Sequence, residues 1–306
     1  MLKFFWLLII CFFVGLQNIK AQRQVERLLI LNPLFDTTKT FNGRNTSWAH
    51  SFNGWIGFNK YTIAKDNDHE WFQQIGTMTE IVRFRNNSSI TFTGHMEMVA
   101  DPHNNINLNP RAIFWEEGLF YIKKVKDHYL KFGYYHRCKH DIDNLEVGQQ
   151  RTTIYASLLF ETIKPVKLPE NDLILALRTE FYTVRQDYRL PRMMDRPAPD
   201  VNNLLGSFRG NFHYQKLFSN TLGVFLNGYA KLLIYSQHEG FVDRLQSFQK
   251  ARVNSGLSGG LVINGNANIR LAVNYDYLSD TGIPIFPVSG HFISFGVMGR
   301  NPLTIR

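Results

Sequence analysis

Residues 269–277 read Ile269-Arg270-Leu271-Ala272-Val273-Asn274-Tyr275-Asp276-Tyr277, and every bulky apolar side chain in that stretch stands at an odd position. Successive side chains of a β-strand point to opposite faces, so such a segment presents one apolar and one polar face. The same period returns elsewhere. In 222–232 the even positions are Leu222, Val224, Leu226, Gly228, Ala230 and Leu232. Leu204, Phe208, Phe212 and Tyr214 share one face, opposed by Ser207, Arg209, Asn211, His213 and Gln215. Ile90, Phe92, Met96 and Met98 oppose Thr91, Thr93, His95 and Glu97 in the same way.

The runs commonly extend over roughly 11 to 16 residues, whereas strands of soluble proteins cluster near about 5–6. A strand tilted through hydrocarbon needs about 9–11. Twelve such segments can be read, at roughly 55–65, 71–85, 88–102, 111–123, 128–140, 150–165, 171–186, 204–217, 221–235, 249–264, 267–278 and 291–299. The connections alternate in length along the chain. Short ones fall around Asn86-Asn87-Ser88, 124–127, 164–171, Phe218-Ser219-Asn220 and Asn264-Gly265-Asn266, with mostly longer ones between them. A soluble sandwich or lipocalin-like protein would have shorter strands and no reason to alternate its loops. The pattern therefore predicts an all-β fold, an antiparallel transmembrane β-barrel of about twelve strands and outer-membrane type, with short periplasmic turns and longer extracellular loops. Closure follows, because an open sheet edge in lipid would leave backbone groups unpaired.

The N-terminus fits that destination. Lys3 precedes the apolar run 4–16 (FFWLLIICFFVGL), and a small-residue cleavage site, Ile19-Lys20-Ala21, follows. This order of charge, apolar core and small residue predicts a cleavable secretory signal peptide over 1–21 and a bacterial outer-membrane location after passage through the periplasm. The apolar run is too short to span a bilayer as a helix. Residues 22–50 are expected to form a periplasmic extension or an extra strand, and 51–306 the barrel. Without Lys3 and Lys20 the mature chain keeps 32 basic against 25 acidic residues, a net charge of +7. That suits acidic headgroups and lipopolysaccharide phosphates, and no basic run with interleaved aromatics points to nucleic acid. Cleavage also removes Cys11, which leaves Cys138 as the sole thiol and rules out an internal disulfide.

The polar face carries many ionisable groups: His95, Glu97, Arg178, Glu180, Arg209, Lys231, Arg270 and Asp276. They are expected to fill a hydrated lumen, with a narrow passive pore as the alternative. A structural or interaction role without chemistry is the third reading of the barrel.

One segment carries candidate chemistry. Residues 128–141 place Leu130, Phe132, Tyr134, His136, Cys138 and His140 on the even, lipid-facing side, with Lys131, Gly133, Arg137 and Lys139 on the other. The next strand begins at Gln150, with Thr152 and Ile154 on its own outward side. This segment resembles outer-membrane phospholipase A and, more loosely, the barrel-type lipid A deacylases. Those enzymes carry a His-x-Ser pair on the lipid-facing rim of the barrel, and an Asn or Glu about twelve residues later orients the histidine. The resemblance implies a lipid acyl hydrolase in which His136 is the base, Cys138 stands where the family has serine, and Gln150 stands for the orienting residue. A histidine beside a thiol favours the thiolate, so the set is chemically coherent. Asp141, Asp143 or His140 are alternative orienting groups.

A metal site made only of His136, Cys138 and His140 is disfavoured, because i and i+4 on one strand stand about 13 Å apart, against zinc bonds of about 2 Å. Asp141 and Asp143 are the candidates for calcium at the following loop. Adjacent Glu116 and Glu117 face opposite sides and cannot act as a carboxylate pair. Membrane lipids and lipopolysaccharide are the expected partners, with a homodimer as a further expectation.

Overall fold

In a computed structural model the described residues are 46–64, 70–100, 110–142, 150–168, 171–190, 204–236, 251–279 and 290–301. The expected signal peptide and residues 22–45 lie outside them. Twelve strands run in chain order: β1 Ser47–Ala64, β2 Trp71–Phe84, β3 Ser88–Ala100, β4 Pro110–Val125, β5 His128–Asp141, β6 Gln150–Leu168, β7 Asn171–Leu190, β8 Leu204–Leu217, β9 Leu222–Tyr235, β10 Ala251–Asn264, β11 Asn268–Leu278 and β12 Gly290–Arg300. Each pairs antiparallel with its neighbours in sequence, and β12 closes on β1 through a register running from Trp55↔Arg300 to Ala64↔Phe292. The result is a closed barrel without an open edge. β1 starts at Ser47, inside the segment expected to be an extension or an extra strand.

The period-two pattern decides which side of the wall each residue takes. On β5, Tyr129, Lys131, Tyr135, Arg137 and Lys139 are buried inside, while Phe132 and Tyr134 are exposed on the outer surface. On β11 the inner face holds Asn268, Arg270, Asn274 and Asp276, and the outer face Ile269, Leu271 and Val273. Large apolar side chains stand outward on every strand, from Phe52 and Ile56 on β1 to Phe295 and Val297 on β12. In water so much exposed apolar surface would be a liability. Around a closed barrel it is a lipid-facing belt. The connections at one end span two to four residues, and those at the other six to fifteen. Belt, closure and loop asymmetry together are the architecture of a barrel of the bacterial outer membrane, with both ends of the barrel on the short-turn, periplasmic side. The unheated, refolded protein is expected to migrate on a denaturing gel at a different apparent mass from the boiled sample and to fractionate with outer membranes. Recovery as a detergent-independent soluble protein would contradict this architecture.

The lumen is packed with side chains. Arg270, Tyr135, Tyr155, Phe114, Lys231 and Phe292 are among the most deeply buried groups in the protein. Buried ionic contacts tie the inner wall together. Glu116 accepts from Arg137, Glu161 sits between Arg178 and Lys131, and Glu180 accepts from Lys231 at 2.8 Å. Apolar clusters cap this interior toward the long loops, with Tyr61, Phe72, Phe114 and Phe292 on one side and Tyr155, Tyr182, Leu233 and Tyr235 on the other.

The β4–β5 hairpin turns on Lys126 and Asp127, with Lys126 at φ 55. That left-handed conformation at the first turn position is one a glycine adopts freely and a lysine does not. Lys126→Gly is expected to raise the stability of the refolded barrel by about 0.5–1 kcal/mol, read as a higher urea midpoint at unchanged slope.

Candidate functional site

His136 and Cys138 both face lipid from β5, as the alternation requires, two positions and about 6.6 Å apart along the strand. The register decides what stands beside them. Across β4, His136 is opposite Glu117 and Cys138 is opposite Trp115; across β6 they meet Ala156 and Ile154. His136 Nδ1 lies 3.4 Å from Glu117 Oε1, within ion-pairing distance though not aligned for a hydrogen bond. The other carboxylate oxygen, Glu117 Oε2, accepts a hydrogen bond from Trp115 Nε1 at 2.6 Å. A carboxylate, an imidazole, an indole and a thiol therefore form one patch on the outer wall. Glu116, next in sequence, faces inward and holds Arg137. The two adjacent glutamates are split between lumen and lipid.

Gln150 is not brought to His136. His140 is opposite Thr152 and His136 is opposite Ala156, so Gln150 lies six positions further along β6, about 20 Å from the level of His136. Its side chain, that of Asp141 and all of Asp143 lie outside the described residues. Among the described residues no group of three or more His, Cys, Asp or Glu side chains is placed to hold a metal. His140 is exposed and its Nδ1 lies 3.4 Å from Thr152 Oγ1. Glu117, which did not enter the candidate set read from the sequence, is the acid beside the histidine. A signal for it was present, since it breaks the outward series Ile113, Trp115, Leu119, Tyr121 on β4. Only the β4–β5 register shows that the break falls beside His136.

The surroundings of the pair are shaped by the same register. One continuous lateral row runs Gly54↔Thr77↔Gly94↔Glu117↔His136↔Ala156 across six strands. Every member other than the ionisable pair is small. On the periplasmic side the adjoining row is bulky, with Phe92, Leu119, Tyr134 and Leu158, and on the extracellular side stand Met96, Trp115, Cys138 and Ile154. Phenylalanine rings cover the glycines of the small-residue row: the Phe52 ring lies 3.4 Å from the position a Cβ at Gly54 would take, and the Phe92 ring 3.4 Å from that at Gly94. Tyr134 OH is hydrogen-bonded to Thr183 Oγ1 at 2.8 Å, and Thr183 is the extra residue that β7 inserts at its bulge against β6. Cys138 itself is 8% exposed, beside Trp115, whereas the side chains of His136 and Glu117 are 37% and 44% exposed. Charged groups on the lipid face are costly, least so near the interface, which makes an ionisable pair kept there a candidate site.

No family model matches the chain, and no curated protein does. Solved structures are similar in fold at low identity. LpxR from Salmonella typhimurium is 6% identical with a TM-score of 0.45, over 81% of this chain and 99% of that one. The translocator domain of autotransporter NalP from Neisseria meningitidis is 9% identical with a TM-score of 0.39, over 87% and 91%. The transport unit of the autotransporter AIDA-I from Escherichia coli is 10% identical with a TM-score of 0.39, over 87% and 95%. Likeness at this level says nothing about activity.

Proposed function

We propose that this outer-membrane barrel is a lipid acyl hydrolase working from its outer wall, with Cys138 as nucleophile, His136 as base and Glu117 as the acid that orients the imidazole. The observation that carries this reading is the lipid-facing Glu117–His136 pair, 3.4 Å apart, on the same surface as the adjacent thiol. A lipid-side site leaves acyl chains in hydrocarbon while the ester reaches the polar patch. The packed lumen, with Arg270 and Lys231 each 1% exposed, gives no support to the passive-pore alternative.

The steps balance without a cofactor. His136 takes the thiol proton of Cys138, and the sulfur attacks the ester carbonyl to form a C–S bond and a tetrahedral oxyanion. Collapse breaks the C–O bond, and the imidazolium returns its proton to the departing alkoxide. Water, deprotonated by His136, then cleaves the thioester and releases the fatty acid while the sulfur regains a proton. Glu117 stabilises the imidazolium throughout, and Trp115 holds Glu117 in place.

The test is fatty-acid release from phospholipid and from lipid A by the purified, refolded protein, with and without calcium. Cleavage that depends on Cys138 supports the reading. If the wild type and Cys138→Ala are equally inactive on both lipids, the barrel is not an enzyme of this kind.

A further inference from the structure

Several cations of the lumen have a carboxylate in hand: Arg83 with Glu80, Arg137 with Glu116, Arg178 with Glu161 and Lys231 with Glu180. Arg270 and Arg300 do not. They are 1% and 5% exposed, both on the inner wall near the periplasmic end. The register sets Asn268 opposite Arg300 and Arg270 opposite Met298, so the two arginines are diagonal neighbours on one face. Asn268 Oδ1 accepts from Arg270 Nε at 2.9 Å and from Arg300 Nε at 3.2 Å, and Gln215 Oε1 accepts from Arg270 Nη2 at 3.0 Å. The Arg270 guanidinium is braced over the Phe225 ring, 4.5 Å from its centroid. On each arginine Nη1 is buried with no partner, and among the described residues no carboxylate reaches either.

A guanidinium cannot shed its proton, so both charges persist. A buried cation left without an anion is strongly unfavourable, whereas a bidentate oxyanion matches its fork of donors. Arg270 also lines a small lumenal cavity of mixed character, in which Asn59, Gln74, Asn227 and Asn274 stand beside Phe225 and Met298. In that cavity Gln74 Oε1 is a buried acceptor with no donor. We infer that the Arg270–Arg300 pair is a binding site for a soluble, phosphate-type oxyanion that enters the lumen from the periplasmic side. The fixed donors fit its oxygens, and Gln74 fits an anion that keeps a proton, as hydrogen phosphate does and sulfate does not. Because both arginines face inward, membrane headgroups on the outer wall are not the source. The inference is independent of the proposed hydrolase, which uses β4 and β5 on the opposite surface of the wall.

Calorimetric titration of the refolded full chain in neutral, phosphate-free detergent tests it, with inorganic phosphate and sulfate compared at constant ionic strength. Saturable phosphate binding is expected, at least tenfold tighter than sulfate. Arg270→Met and Arg300→Met should each weaken phosphate at least tenfold, and Gln74→Leu should remove the preference over sulfate. Arg300→Lys, which keeps the charge and loses the fork, should bind more weakly than wild type and serves if the methionine variants do not refold. Phosphate should also raise the unfolding midpoint of the wild type, with no variant required. Absence of saturable phosphate binding by the wild type, or binding unchanged by loss of either arginine, overturns the site.

Discussion

His136→Ala is expected to lower lipid ester turnover by about 10²–10⁴-fold while the barrel stays folded, because that is the usual contribution of a positioned general base. Cys138→Ala should abolish turnover, and Cys138→Ser should keep part of it, since histidine can activate a hydroxyl as well. The informative comparison is between the two residues that could orient the histidine. Glu117 Oε1 is 3.4 Å from His136 Nδ1, so Glu117→Gln should cut kcat with little change in KM, the signature of an interaction used in the transition state. Gln150, about 20 Å along the wall by register, should tolerate replacement by alanine with turnover near that of the wild type. Initial rates on mixed micelles measure all five variants. A Gln150→Ala loss as large as that of Glu117→Gln would mean that the register does not set the site.

The second large effect concerns the lumen. Glu180 and Lys231 are each 1% exposed, and Glu180 Oε2 also accepts from Tyr182 OH at 2.8 Å and from Ser207 Oγ at 2.7 Å. Replacing one partner of such a pair strands the other charge in the interior, at a typical cost of about 3–5 kcal/mol. Glu180→Gln should therefore unfold in urea with a much lower midpoint and a similar slope. The double variant Glu180→Gln/Lys231→Met should recover most of the loss, because it removes both charges together. A single variant within about 1 kcal/mol of wild type would show that the pair is not what holds this part of the wall.

The barrel was legible in the order of the amino acids. Side-chain alternation is a local property, so the faces of β5 and β11, the outward placement of His136 and Cys138, and the split between Glu116 and Glu117 could all be read one strand at a time. The spacing of short and long connections added the direction of the strands. Which residues meet across strands had to come from the folded sheet. A shift of register leaves the composition of a strand untouched yet changes every lateral neighbour. Thus the sequence put Gln150 beside His136 by its distance along the chain, whereas the β4–β5 pairing brings Glu117 there and the β5–β6 pairing carries Gln150 away. The small-residue row from Gly54 to Ala156 and the carboxylate-free pair of Arg270 and Arg300 are products of register in the same sense. They depend on contacts between strands that no local pattern encodes, because strand pairing is a property of the closed sheet as a whole.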